Sequence, residues 1–174
     1  MTGVAKGTLL KLLVDLGRVC EEYHRKTVVS LKARRIQCDE IWSFCYAKEK
    51  NIPQSIRSLP GIGDVWTWTA MDADSKLVVS WLVGDRDASY ASEFMSDVAS
   101  RVSNRVQLTT DDLRAYLDAV EDAFGSEVDY AMLVKLYGYS PQTEARYSPP
   151  QCLGARREII KRLSRAAPYL HVVR

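Results

Sequence analysis

Hydrophobic and polar positions change period several times along this 174-residue chain. Leu9, Leu10, Leu13 and Leu16 recur at helical spacing, which predicts a first helix from about Lys6, with Thr2 as N-cap and Gly17 as its stop. "RVCEEYHRKTVVSLKARR" reads as a second helix running into a basic connector. The period then falls to two. "RIQCDEIWSFCYA" (35–47), "VWTWTAMDAD" (65–74) and "LVVSWLVGDR" (77–86) predict three strands. Pro53, Pro60, Gly61 and Gly63 make the first connection a long loop, whereas Asp72, Asp74 and Ser75 supply a tight turn for the second. "DASYASEFMSDVASRV" predicts an amphipathic helix with Ala91, Phe94, Met95, Val98 and Val102 on one side. A short strand "RVQLTTDD", a helix "LRAYLDAVEDAFG" closed by Gly125, and a last strand "VDYAMLVKLYG" follow. From Tyr139 the chain is irregular until "GARREIIKRLSRAA", which predicts a short basic helix.

Three strands in succession, then helix, strand, helix, strand, describe an α/β fold: a mixed sheet with helices packed on it. This order is that of the ribonuclease-H-like fold. The first strand contains a fault, because Asp39 and Glu40 sit side by side among Cys38, Ile41 and Trp42. Alternation lets one of the two acids point to solvent, and the other then needs a partner, a metal or a solvent-filled edge. In this fold the first strand and the end of the fourth are neighbours, and Asp39 and Asp111 stand at those places. Asp39 is therefore expected to be tolerated because it shares a divalent cation with Asp111.

Composition adds few constraints. With 47% hydrophobic and 26% charged residues, the chain fits one soluble globular domain rather than a disordered segment. No apolar run approaches a membrane span and the start carries no signal-peptide pattern, which predicts a cytoplasmic protein, nucleoid-associated if it holds DNA. Cys20, Cys38, Cys45 and Cys152 form no CxxC pair and read as buried apolar side chains, not zinc ligands or a disulfide. His24 and His171 read as surface residues, and Trp42, Trp66, Trp68 and Trp81 as core or sheet-face residues. The net charge of +2 conceals a gradient: residues 1–35 carry +5, residues 36–154 carry −8, and residues 155–174 carry +5. That gradient suits an acidic catalytic centre flanked by DNA-gripping ends, with Lys6, Lys11, Arg34, Arg35, Arg156 and Arg157 as candidate contacts; it equally suits solvated termini.

Two carboxylates from adjacent strands make a hard-oxygen site suited to Mg²⁺ or Mn²⁺. Two-metal phosphoryl transfer would also need a third acid on a helix after the last strand. Glu144 lies in an irregular stretch and Glu158 stands beside Arg156 and Arg157 as an ion-pair partner, so neither fills that place well. An aspartate at a strand end is also a common helix N-cap, and "TTDDLRAYL" fits that reading too.

Together "CDEIWSF", the "VWTWTAMDADSKLVVSWLVGDR" block and "LTTDDLRAYL" resemble transposases of the insertion sequence one family, Asp-Asp-Glu enzymes of ribonuclease-H-like fold. The resemblance covers roughly residues 1–160 and implies that Asp39 and Asp111 are the first two catalytic acids, with Mg²⁺ or Mn²⁺ as cofactor. The family often has Gly after the second acid; here Asp112 follows, so either carboxylate could be the ligand. "TGVAKGTLLKLL" is similar to the second helix of the family's helix-turn-helix. On this reading residues 1–34 are a partial helix-turn-helix remnant and linker helix, 35–160 an incomplete catalytic domain, and 161–174 a divergent basic tail. The family's third acid, in a block resembling "ERxNLxxR", has no counterpart, so the resemblance implies a copy truncated at both ends and inactive. Full-length relatives would bind terminal inverted repeats. The rival expectation is a non-catalytic DNA-binding or dimerising fragment that inhibits a full-length transposase, as a homo-oligomer or in complex with it.

Overall fold

The computed structural model describes residues 3–138 and 151–161. Strands β1 (Arg35–Cys45), β2 (Gly63–Asp72), β3 (Val78–Gly84), β4 (Val106–Thr110), β5 (Val128–Gly138) and β6 (Gln151–Lys161) form one sheet in the order β3-β2-β1-β4-β5-β6. β1, β4 and β5 are parallel; β2, β3 and β6 are antiparallel to their neighbours. The first five strands have the order and directions of the ribonuclease-H-like fold.

Helices α2 (Ala88–Arg101) and α3 (Ala115–Phe124) are the crossovers between parallel strands and pack on one face of the sheet. Their fit follows from periodicity: Ala91, Phe94, Met95 and Val98 of α2 and Tyr116, Ala119 and Val120 of α3 are buried. They meet Ile36, Cys38, Trp68, Ala70, Leu108 and Tyr130, the alternate positions of the facing strands. Trp68 lies between Phe94 and Tyr116, ring centroids 5.8 and 5.6 Å away, and burying each such ring stabilises by roughly 2–3 kcal/mol. Asp87 caps α2 by accepting from the Ser89 and Tyr90 amides at 2.9 and 3.0 Å. In the β2–β3 turn, Asp72 accepts from the Asp74 and Ser75 amides and from the Ser75 hydroxyl.

The N-terminal segment differs from the expectation of two helices. α1 runs unbroken from Lys6 to Thr27, through Gly17. A glycine inside a helix costs about 1 kcal/mol, too little to end one whose apolar spacing continues through Val19 and Tyr23. Its N-cap is Ala5; Thr2 lies outside the described residues. No residue of α1 is buried. Its attachment lies near its end, where His24 Nε2 bonds the Val78 carbonyl at 2.9 Å and the imidazole packs on Trp81. His24 is thus a tether rather than a free surface residue. Arg101 reinforces it by donating to the Val28 carbonyl at 3.0 Å.

The basic segment after the irregular stretch is also different: residues 151–161 form a strand, not the start of a helix. Without it β5 would be a sheet edge eleven residues long with unpaired amides and carbonyls. Pairing satisfies them, and this tertiary gain overrides the weak helix propensity of "GARREIIK". Lys161 adds three bonds, to both oxygens of Glu121 and to the Gly125 carbonyl at the end of α3. Of the cysteines only Cys38 is buried; Cys20, Cys45 and Cys152 are exposed, contrary to expectation. Among the described residues no helix covers the second face of the sheet, and none is long and apolar enough to cross a membrane.

Candidate active site

The parallel β1–β4 register ends with Gln37 paired to Thr109; two residues further on stand Asp39, still in β1, and Asp111, just past the end of β4. Asp39, Glu40 and Asp111 each offer a carboxylate oxygen within 4.8 Å of the others. The two acids expected to meet therefore do, and a third joins them. Asp112 is exposed and outside that trio.

The three carboxylates have different surroundings. Asp39 is open to solvent, its side chain 61% accessible, with one oxygen accepting from the Glu40 amide and the other 3.9 Å from Lys135 Nζ. Asp111 is 14% accessible. Its Oδ1 accepts from the Leu113 amide at 3.1 Å, so the capping role and the site role coexist. Glu40 is 1% accessible. Its phase along the strand is that of Ile36 and Cys38, so it turns toward the helix layer. There it accepts from the Tyr116 hydroxyl and from Arg86 Nε, the latter at 3.0 Å. The acid that the strand cannot bury alone is thus Glu40, not Asp39, and its partners are an arginine and a tyrosine.

Arg86 joins two of the acids, donating through Nη2 to Asp111 Oδ2 at 3.3 Å. Burial pushes the Glu40 carboxyl above its ordinary range and the Asp111 charge reinforces this, while Tyr116 and Arg86 pull the other way. Burial works against the charge on Arg86, but the two carboxylates outweigh it and raise its pKa. Burial likewise raises the Tyr116 hydroxyl, which stays protonated and donates.

An octahedral Mg²⁺ with oxygens at about 2.1 Å holds neighbouring ligands about 3 Å apart and opposite ones about 4.2 Å apart. Oxygens within 4.8 Å of one another would have to draw in by up to about 2 Å to reach that spacing, within the reach of a side-chain rotation, and all the donors are hard oxygens. The residues fit such an ion. Glu158 does not join them: it pairs with Met132 in the β5–β6 register, three strand spacings or about 14 Å from β1, and bonds ionically to Arg156 at 3.7 Å. Glu144 lies outside the described residues.

The cationic candidates are scattered. Lys6 and Lys11 are exposed on α1, roughly four to five turns from its His24 tether. Arg35 is held by Asp74 in an ion pair, Arg34 and Arg156 are exposed, and Arg157 is half-buried. Two tryptophans read from the sequence as core or sheet-face residues instead carry cations, one of them the Arg86 that touches the carboxylates. Trp42 and Trp66 are cross-strand partners, with Lys48 4.8 Å over the first ring and Arg86 5.0 Å over the second. The phase of Ile36 and Cys38 would have found Glu40; Arg86, at residue 86 and far from Asp111 along the chain, left no local signal.

Compared with protein families and with curated proteins, the sequence matches none. Among solved structures it is similar to a piggyBac transposase, solved by cryo-electron microscopy in a synaptic complex with hairpin DNA. The likeness has 11% sequence identity and a TM-score of 0.37, over 68% of this chain and 27% of that one. The chain thus spans about a quarter of that protein's length.

Proposed function

We propose that this chain carries the catalytic core of a DNA transposase, with Asp39 and Asp111 holding a Mg²⁺ or Mn²⁺ ion at the scissile phosphate. The observation that carries the reading is the meeting of these two acids at adjacent parallel strands of a ribonuclease-H-like sheet. Such an ion, when bound, stabilises charge building on phosphate oxygens and activates the attacking water or 3′-hydroxyl. The chain's own residues orient the acids: the Leu113 amide fixes Asp111 and the Glu40 amide fixes Asp39. Further along β1 and β2, Lys48, Trp42 and Trp66 offer a cation and ring faces to the nucleic acid. The exposed Lys6, Lys11, Arg34 and Arg156 would add weak, salt-sensitive contacts to the backbone, while Arg35 is spent on Asp74.

Among the described residues the site supplies Asp39, open to solvent, and the more enclosed Asp111, and no third acid from a helix. If no further acid joins these two, strand cleavage is expected to stay at background even where metal binds, because a site short of one ligand misplaces the attacking oxygen and about 1 Å can cost roughly 10²-fold. The test is thermal: Mn²⁺ should raise the melting temperature, and Asp39→Ala should abolish the rise. An unchanged response in Asp39→Ala would sink the reading. A second reading, a non-catalytic fragment that pairs with a full-length transposase, is favoured by α1, whose leucines are all exposed. On that reading Asp39→Ala would still inhibit a full-length enzyme, whereas deletion of residues 1–27 would not.

A further inference from the structure

Arg86 follows β3 and holds two carboxylates at once, Glu40 Oε2 at 3.0 Å and Asp111 Oδ2 at 3.3 Å, with its guanidinium 5.0 Å over the Trp66 ring. Both Glu40 oxygens are already engaged, Oε1 by the Tyr116 hydroxyl and Oε2 by Arg86, and the side chain is 1% accessible. Asp111 is less enclosed, and its bond to Arg86 is the longer of the two. We infer that Arg86 is a resident counter-ion of the carboxylate site, anchored on Glu40 and Trp66, and that it must release Asp111 before Asp39 and Asp111 can hold a divalent cation. The inference rests on the reading of those two aspartates as the metal-binding pair. It assigns Glu40 as the anchor of an arginine rather than a third ligand.

The physical reason lies in the charges. Asp39 and Asp111 repel each other when no cation lies between them. A guanidinium with donors in a rigid fork can neutralise Asp111 while tied to a second acid, which a lysine, as a point charge, cannot do in the same geometry. Of its two bonds, the one to the enclosed Glu40 is the costlier to break, since breaking it would leave a buried carboxylate uncompensated. Arg86 therefore leaves Asp111 first, and its hold on Asp111 weakens metal binding by competition.

Calorimetric titration of Mn²⁺ into the full chain tests this with wild type, Arg86→Gln, Arg86→Lys, the double variant Glu40→Gln/Arg86→Gln, and Asp39→Asn. Arg86→Gln alone strands Glu40 and can fail to fold, so the double variant is decisive. It removes one positive and one negative charge, so the local net charge stays the same and a gain in affinity reports the freed Asp111 oxygen. The double variant is expected to bind Mn²⁺ about tenfold more tightly than wild type, the scale of one charge-assisted hydrogen bond released. Arg86→Lys, which keeps the charge without the fork, is expected to fall between the two and serves if the double variant does not fold. Equal binding by wild type and double variant would overturn the inference, and weaker binding would make Glu40 a ligand instead. In both cases loss of wild-type binding in Asp39→Asn would keep the two-aspartate reading standing. Absence of Mn²⁺ binding in all of these proteins would overturn both.

Discussion

Asp97 and Glu40 carry similar chemistry, and their neighbours set them in opposite directions. Burial raises Asp97, yet hydrogen bonds from Arg101 and Ser80 outweigh it and hold the carboxyl below its ordinary value of 3.8. Arg101 donates to it at 2.7 and 3.1 Å and is itself buried. A carboxylate with a lowered folded pKa contributes stability that is present above its unfolded value and lost as the pH falls through the folded one. Asp97→Asn is therefore expected to cost about 1 kcal/mol at pH 7, a figure reduced because the side chain is partly exposed. The difference should begin to narrow as the pH falls past 3.8, where the unfolded chain takes up the proton, and go on narrowing until the folded carboxyl does so at lower pH. Thermal melts of both proteins at pH 7 and pH 3 check this, and a gap of constant size would contradict the ion pair's contribution. Glu40 is the reverse case, because burial dominates its neighbours and raises it. Its place in the apolar phase of β1 was readable; the arginine and tyrosine that permit it were not.

Elements differ in how much of their sequence pattern the fold uses. α2 and α3 bury the faces that helical spacing marks, whereas α1 buries none of its leucines. Leu12→Ser and Val19→Ser, each at a residue 63% exposed, are expected to change the unfolding free energy from urea titration by less than about 0.5 kcal/mol. A loss of 2 kcal/mol or more would mean that α1 packs on something in solution. The β3–α2 junction should behave otherwise. A Cβ at Gly84 would meet the Tyr90 ring at 1.9 to 2.5 Å, so the bare glycine is what lets the first turn of α2 lie over the end of β3. Gly84→Ala is expected to destabilise by about 1–3 kcal/mol, with part regained in Gly84→Ala/Tyr90→Leu. Equal stability of Gly84→Ala and wild type would show that the junction can shift freely.

The whole molecule presents two unlike sheet faces. One is sealed by α2 and α3; on the other, Ile41 and Val83 are more than half exposed and Ile159 is half exposed. Apolar surface of this kind favours association over a lone monomer. Ile41→Thr/Val83→Thr should leave the melting temperature nearly unchanged, since neither side chain is buried, yet raise the concentration at which light scattering first appears. A lower melting temperature with unchanged scattering would mean that this face is covered within the chain. The same open face receives Asp39, which is why that acid costs the fold little.

What the sequence determined by itself was the period of each element and hence the α/β order. Strands β1 to β5 and the buried faces of α2 and α3 follow from local alternation and helical spacing, which depend only on neighbours along the chain. Order and handed crossovers then bring β1 beside β4, so the meeting of Asp39 and Asp111 was legible as well. Tertiary structure alone decided the rest. Gly17 did not stop α1, because a helix tolerates one glycine when its spacing persists. Residues 151–161 became a strand because β5 offered an unpaired edge that no local propensity records. Arg86 found Glu40 and Asp111 across 46 and 25 residues, through contacts that exist only once three strands are assembled.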